Sequence, residues 1–336
     1  MPTASVPTPA PRRDLRRLGR SGLAVTTVGL GCNNLGRSNA VTSTFEGSRE
    51  VVHAALDAGV TFFDTADNYG ARPGLSEEFL GRALGSRRDE VVIATKFGMP
   101  VRGLNGPDYR ARGSRRYVMK AVEGSLQRMG TDHIDLYQFH TPDDETPIDE
   151  TLAALDDLVR QGKVRYVGHS NRSGWQIADA EHVARAAGTT RFVSSQSHYN
   201  LVDRRAELEV LPAAAAYGLG VLPYFPLANG LLTGKYTGDV RPQDSRLVRN
   251  KPELLETAPW EALARLHTFC LERGVTELQV AFGWLLSHPQ VTSVIAGATR
   301  PEQIAQNADA ATWVPSSDDL AALDEIFPPA PKVALF

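Results

Sequence analysis

The chain has 336 residues, 42% of them hydrophobic and 22% charged, with 36 basic against 39 acidic side chains and a formal charge of −3. The length fits about two average domains or one large α/β barrel, and the composition excludes a largely disordered chain, a collagen-like fibre and a disulfide scaffold. The near balance of charge argues against nucleic acid as the main partner. No apolar run approaches the ~18 residues of a membrane span.

Taken from the start, Met1 to Pro11 carries four prolines, and Arg12, Arg13, Arg16 and Arg17 follow. A secretory signal places an apolar stretch after its charges, which is not the order here. Residues 1–14 therefore read as a disordered tail and 15–336 as one domain. Cys32 and Cys270 lie far apart and match no metal spacing, so they read as reduced core thiols of a cytoplasmic protein, with no metal site.

One rhythm then repeats. Strand candidates fall at Val25–Cys32, Thr61–Thr65, Val91–Lys96, Ile134–His140, Val164–Ser170, Phe192–Gln196, Gly220–Tyr224 and Val291–Ala296. Such near-continuous apolar runs suit a parallel sheet covered on both faces. Helical patterns follow at Arg49–Ala58, Ser76–Leu84 with Ser76 as its cap, Arg116–Met129, Asp149–Arg160, Gly174–Ala187, Arg204–Tyr217, Pro259–His288 and Pro301–Ala310. Gly59, Gly85, Gly130, Gly162, Gly188 and Gly218 sit just past six of them, where a left-handed residue closes a helix. Eight strand–helix units predict a single-domain (β/α)8 barrel. A doubly wound sheet is the weaker reading, because Gly29-Leu-Gly31 does not complete a dinucleotide-binding glycine motif.

In such a barrel the C-terminal ends of the strands face the active site. Asp64, Lys96 and His140 end the second, third and fourth strands, and Tyr69 lies in the loop after the second. Each alone has a structural reading as a cap, a rim charge or a packed side chain. Their convergence makes chemical sense. A free tyrosine, with a pKa near ~10, is a poor proton donor, and a neighbouring ammonium is expected to lower that value. A carboxylate holds the ammonium, and an imidazole adds a hydrogen bond to a substrate oxygen. The set is a general acid for a carbonyl about to become an alcohol. With no activated nucleophile and no metal spacing, the electrons must come from a hydride-donating cofactor.

The segments Phe63–Gly70, Ala94–Gly98, Asp135–His140, Gly168–Asn171 and Ile295–Gln303 resemble the aldo-keto reductase superfamily, and within it the bacterial branch similar to potassium-channel β subunits. The resemblance implies a barrel using NADPH, with NADH as the alternative, on a small-molecule carbonyl substrate. It makes Tyr69 the general acid, Lys96 and Asp64 the pair that tunes it, and His140 the residue that orients the carbonyl. Ser170, Asn171 and Gln196 match contacts to the nicotinamide amide, and Tyr224 the ring that stacks on it. The long loop from Leu227 to Lys251, with Gly230 and Lys235, matches the segment over the pyrophosphate. Gly297, Thr299 and Arg300, running into a helix at Pro301, match the 2′-phosphate site, and Gln303 stands where many members carry a basic residue. Gln306 and Asn307 match adenine contacts. Phe225 and His169 depart from the residues many relatives carry. Cys32, Asn33, Met99 and Phe225 are candidate pocket walls. Arg102, Arg110 and Arg112 in the third loop read as solvated charges. The rival function is a cofactor-sensing binding module, since potassium-channel β subunits share the fold.

Overall fold

The computed structural model describes residues 14–38, 40–238, 240–243 and 245–331. Of the expected tail over residues 1–14, all but Asp14 lies outside the described residues, as do the last five residues of the chain. The strands are β1 (Leu15–Arg17), β2 (Ala24–Thr26), β3 (Val28–Gly31), β4 (Phe62–Asp64), β5 (Val92–Phe97), β6 (Ile134–Phe139), β7 (Val164–Ser170), β8 (Ser194–His198), β9 (Gly220–Tyr224) and β10 (Val294–Gly297). The helices are α1 (Phe45–Asp57), α2 (Leu75–Leu84), α3 (Arg115–Met129), α4 (Ile148–Arg160), α5 (Gly174–Ala187), α6 (Val210–Tyr217), α7 (Arg246–Asn250), α8 (Glu253–Glu256), α9 (Trp260–Arg273), α10 (Glu277–Ser287), α11 (Pro301–Ala310) and α12 (Ser317–Ile326).

Strands β3 to β10 form one parallel eight-stranded sheet in the order β10-β3-β4-β5-β6-β7-β8-β9. A parallel bridge between Val221 and Val291 links its two ends and closes the (β/α)8 barrel. Helices α1 to α6, α10 and α11 pack side by side as the outer ring. All six glycines expected beyond helix ends have positive φ, which an L side chain would adopt only at a cost.

Two cores result from the period-two alternation of the strands. Residues turned outward meet the helices; those turned inward fill the barrel. Phe62, Ala94, Leu136, Leu222 and Ile295 form the inner apolar layer, joined by Leu18 and Val25. Truncating a fully buried member such as Leu136 to Ala costs about 2–5 kcal/mol.

Four local expectations are corrected. Val25–Cys32 is not one strand. Its first part, β2, pairs antiparallel with β1, and the barrel strand begins at Val28, with the Thr26 hydroxyl bonded to the Val28 carbonyl at 2.8 Å. This hairpin plugs the barrel with Leu18 and Val25, and Arg16 donates to the Val291 carbonyl. Ser76 is not a cap. Gly74, at φ 83°, precedes α2, and the buried Ser76 hydroxyl instead bonds Thr65 and the Cys32 carbonyl. The span Pro259–His288 is two helices, α9 closed by left-handed Gly274 and α10 opened by a Thr276–Gln279 capping box. The span Arg204–Tyr217 is broken at Leu208 and Glu209 into a short 3-10 turn, Arg205–Glu207, and α6.

Candidate active site

The inner faces of β4, β5 and β6 step from apolar to polar toward their C-terminal ends. Asp64 follows Phe62, Lys96 follows Ala94, and Gln138 and His140 follow Leu136. Asp64 and Lys96 are fully buried, His140 nearly so, and Tyr69 is half-buried. The Lys96 ammonium donates to Asp64 Oδ2 at 2.7 Å, to the Thr65 carbonyl at 2.8 Å and to the Tyr69 hydroxyl at 3.4 Å. An ammonium has three protons, so all of them are used and the side chain has one orientation. The other carboxylate oxygen of Asp64 accepts from Gln138 at 3.2 Å and Gln196 at 2.9 Å. Burying carboxylate oxygens without donors is costly, and this set gives both oxygens of Asp64 a partner.

The electrostatics follow from burial. Burial pushes the Tyr69 phenol up, and the Lys96 charge only partly offsets it. The sequence-based expectation of a lowered phenol is corrected here: the cationic neighbour is present, but desolvation wins. Burial acts to lower Lys96, and the charges of Asp64 and Tyr69 with their hydrogen bonds outweigh it, so its pKa is raised. His140 is held far below the usual imidazole value by burial and then by Lys96. Its ring stands edge-on to Tyr69 with centroids 5.8 Å apart, and its buried Nδ1 has no partner among the described residues.

The residues matched to the nicotinamide amide converge beside this set. Ser170 Oγ donates to the Gln196 carbonyl at 2.9 Å. Asn171, in a left-handed conformation at φ 58°, donates to the His140 carbonyl at 2.9 Å and to Ser170 Oγ at 3.1 Å, and accepts from the Tyr224 hydroxyl at 2.8 Å. Gln196 spends its amide N–H on Asp64, a role the sequence did not reveal. Gln138 was missed altogether, although its place two residues after inward-facing Leu136 was a usable signal.

Further out, Leu227 leads into a turn in which Ala228, Asn229 and Gly230 have φ of 46°, 59° and 110°, and Phe225 has 52°. Two residues of this loop, at positions 239 and 244, lie outside the described residues. Lys235 is exposed, with its ammonium 5.1 Å from the centre of the Tyr236 ring. At the end of the neighbouring strand β10, Gly297 is exposed, and exposed Arg300 opens α11 with Pro301 in its first turn. Gln303 accepts from the Thr299 amide at 2.8 Å, so it fixes that turn. Asn307 is buried on the inner face of α11, where it lines a small cavity with Val28, Leu30 and Ile304.

Among the candidate walls, Asn33, Met99 and Phe225 are half-buried, and Asn33 accepts from Arg37 at 3.2 Å. Cys32 is corrected: it is fully buried in the layer between strands and helices. His169, outward on β7, is fully buried against Phe192, with both ring nitrogens unpartnered among the described residues. In the third loop Arg112 pairs with Asp108 at 2.7 Å and Arg110 with Glu145 at 3.8 Å, which makes them surface ion pairs.

No helix among the described residues is long and apolar enough to cross a membrane. The model of the aldo/keto reductase family matches residues 27–327. The chain is 38% identical over 317 residues to the uncharacterized oxidoreductase YrpG of Bacillus subtilis, covering 93% of this chain and 95% of that one. It is 37% identical over 324 residues to the L-glyceraldehyde 3-phosphate reductase of Escherichia coli, covering 92% and 91%. It is also 36% identical over 314 residues to a probable voltage-gated potassium channel subunit beta of Oryza sativa, covering 89% and 92%. With the barrel and nearly the whole chain accounted for, the protein belongs to the aldo/keto reductase family and is an NAD(P)H-dependent oxidoreductase acting on a small-molecule carbonyl.

Proposed function

We propose that the protein reduces an aldehyde or ketone to an alcohol with NADPH, and that Tyr69 is the proton donor. The observation that carries this reading is the chain of contacts from Asp64 through the buried Lys96 ammonium to the Tyr69 hydroxyl. A carbonyl oxygen beside Tyr69 and His140 meets a protonated phenol and a neutral imidazole. His140 orients the oxygen by hydrogen bonding. Tyr69 gives up its proton, the O–H bond of the product forms, and Lys96 stabilises the phenolate left behind until water reprotonates it. When bound, the reduced nicotinamide supplies the hydride taken by the carbonyl carbon.

The outer residues fit such a dinucleotide. Non-glycine residues at positive φ cost energy and persist where the surroundings dictate them, as at ligand sites. Phe225, Ala228 and Asn229 hold such conformations beside Tyr224. Arg300, with no ion pair among the described residues, stands at the positive end of α11, a place suited to a phosphate. Ser170, Asn171, Gln196 and Tyr224 would hold the nicotinamide end, and Gly297, Thr299, Arg300 and Gln303 the 2′-phosphate end.

The test is titration with NADPH and NADH by intrinsic fluorescence, then NADPH consumption with a panel of aldehydes that includes L-glyceraldehyde 3-phosphate, the substrate in the name of the Escherichia coli relative. NADPH binding with turnover of a panel member supports the reading. Failure to bind either nucleotide would overturn it.

A further inference from the structure

A histidine outside the expected site is built into it. His198 ends β8 and pairs in register with Tyr224 on β9. Their rings are nearly parallel, 10° apart in plane, with centroids at 5.4 Å, an offset stack. The Phe225 ring stands edge-on to both.

The hydrogen bonds around His198 define its protonation. Asn200 is buried, and its Oδ1 accepts from the Val202 and Asp203 amides at 2.9 Å each. That fixes the side-chain amide, so Nδ2 faces the other way as a donor. Nδ2 donates to the Phe225 carbonyl at 2.9 Å and to His198 Nε2 at 3.2 Å. Nε2 must therefore be an acceptor, which leaves the proton on Nδ1, 3.1 Å from Asp203 Oδ2. Protonating Nε2 would set two donors against each other and pull Asn200 from the Phe225 carbonyl. Phe225 is already at φ 52°, so it has strain to release. Tyr224 in turn holds Asn171, which holds the His140 carbonyl.

We propose that His198, whose Nε2 is held as an acceptor by Asn200 and whose Nδ1–H faces Asp203, is the positioning residue that fixes Tyr224, so that nucleotide affinity falls as His198 becomes protonated. This rests on the reading of Tyr224 as the nicotinamide-stacking ring. The charges facing His198 are Asp203, which favours the imidazolium, and Arg205 and Lys251, which oppose it; burial is the largest influence and also opposes it. Neutral His198 is thus the state at neutral pH, and acid reverses it.

The experiment measures the dissociation constant of NADP+, which is stable in acid, from about pH 7.5 to about pH 5, ending well below the ordinary histidine value of ~6.5 because burial lowers His198. His198→Ala should weaken binding about 3- to 10-fold at the upper pH, the worth of one ring stack. His198→Phe keeps a flat ring without a titrating nitrogen. It should bind within about threefold of the wild type at the upper pH and lose less affinity on acidification. The 2′-phosphate titrates equally in both proteins, so the difference between their pH profiles is the readout. Identical profiles, or tight binding by His198→Ala, would overturn the proposal even where Tyr224→Ala weakens binding. If Tyr224→Ala leaves affinity unchanged, the nicotinamide reading of Tyr224 falls, and this proposal with it.

Discussion

The Lys96 ammonium lies 2.7 Å from the Asp64 carboxylate, and both groups are buried at the top of the barrel's inner core. Removing one partner of a buried pair strands the other charge, which typically costs 3–5 kcal/mol. Lys96→Met should therefore lower unfolding free energy by about that much and abolish turnover. Adding Asp64→Asn should restore much of the stability and none of the turnover, because the amide oxygen still accepts from Gln138 and Gln196. Urea unfolding of the single and double variants reads this directly. A single variant as stable as the wild type would contradict it.

The pH dependence of reduction follows from the same contacts. Burial raises the Tyr69 phenol and the Asp64 charge helps raise Lys96. Both groups thus keep their protons through neutral and mildly alkaline solution. The rate of reduction should be flat from about pH 6 to about pH 9 and decline only near or above the ordinary tyrosine value of ~10. A decline centred near neutrality in kcat/KM would show that another group supplies the proton.

Much of this candidate site was legible because barrel chemistry concentrates at strand ends, and strand ends can be read from near-continuous apolar runs. Asp64, Lys96 and His140 were singled out that way, and Tyr69 by its nearness in sequence, and the structure brings the four side chains together. What the sequence hid is long-range. Gln138 and Gln196 reach Asp64 from 74 and 132 residues away, and the net shift of Tyr69 depends on burial that only the closed barrel creates. The β1–β2 hairpin was hidden because Thr26 bonds forward to Val28, interrupting an apparently continuous run of Val25–Cys32 at Thr27. By contrast, the break between α9 and α10 was written in Gly274 and the Thr276–Gln279 capping box. The same signal opens α12, where Ser316 and Asp319 cap each other.

Acid should destabilise the fold. His140 and His169 are both held far below the usual histidine value, mainly by burial. The unfolded chain protonates them near ~6.5, while the folded chain does not. Below that value the unfolded state binds more protons, so stability falls as pH drops through about 6. Each such histidine contributes up to ~1.4 kcal/mol per pH unit. Unfolding at about pH 7.5 and about pH 5.5, with His169→Phe as the comparison, tests this; the variant should lose less stability on acidification.

Arg300 should set the preference between nucleotides. A charge-assisted contact to a phosphate is worth about 1.5–3 kcal/mol, so Arg300→Ala should weaken NADPH binding by roughly tenfold or more and leave NADH binding nearly unchanged. Equal losses for the two nucleotides would move the 2′-phosphate elsewhere.

The most direct test of the account compares NADPH oxidation by the wild type and by Tyr69→Phe on the best aldehyde of the panel, with nucleotide binding measured in parallel. The account predicts a loss of about 10²- to 10⁴-fold in turnover, the ordinary worth of a general acid, with NADPH affinity retained. A Tyr69→Phe protein that binds NADPH and keeps most of its turnover would contradict it.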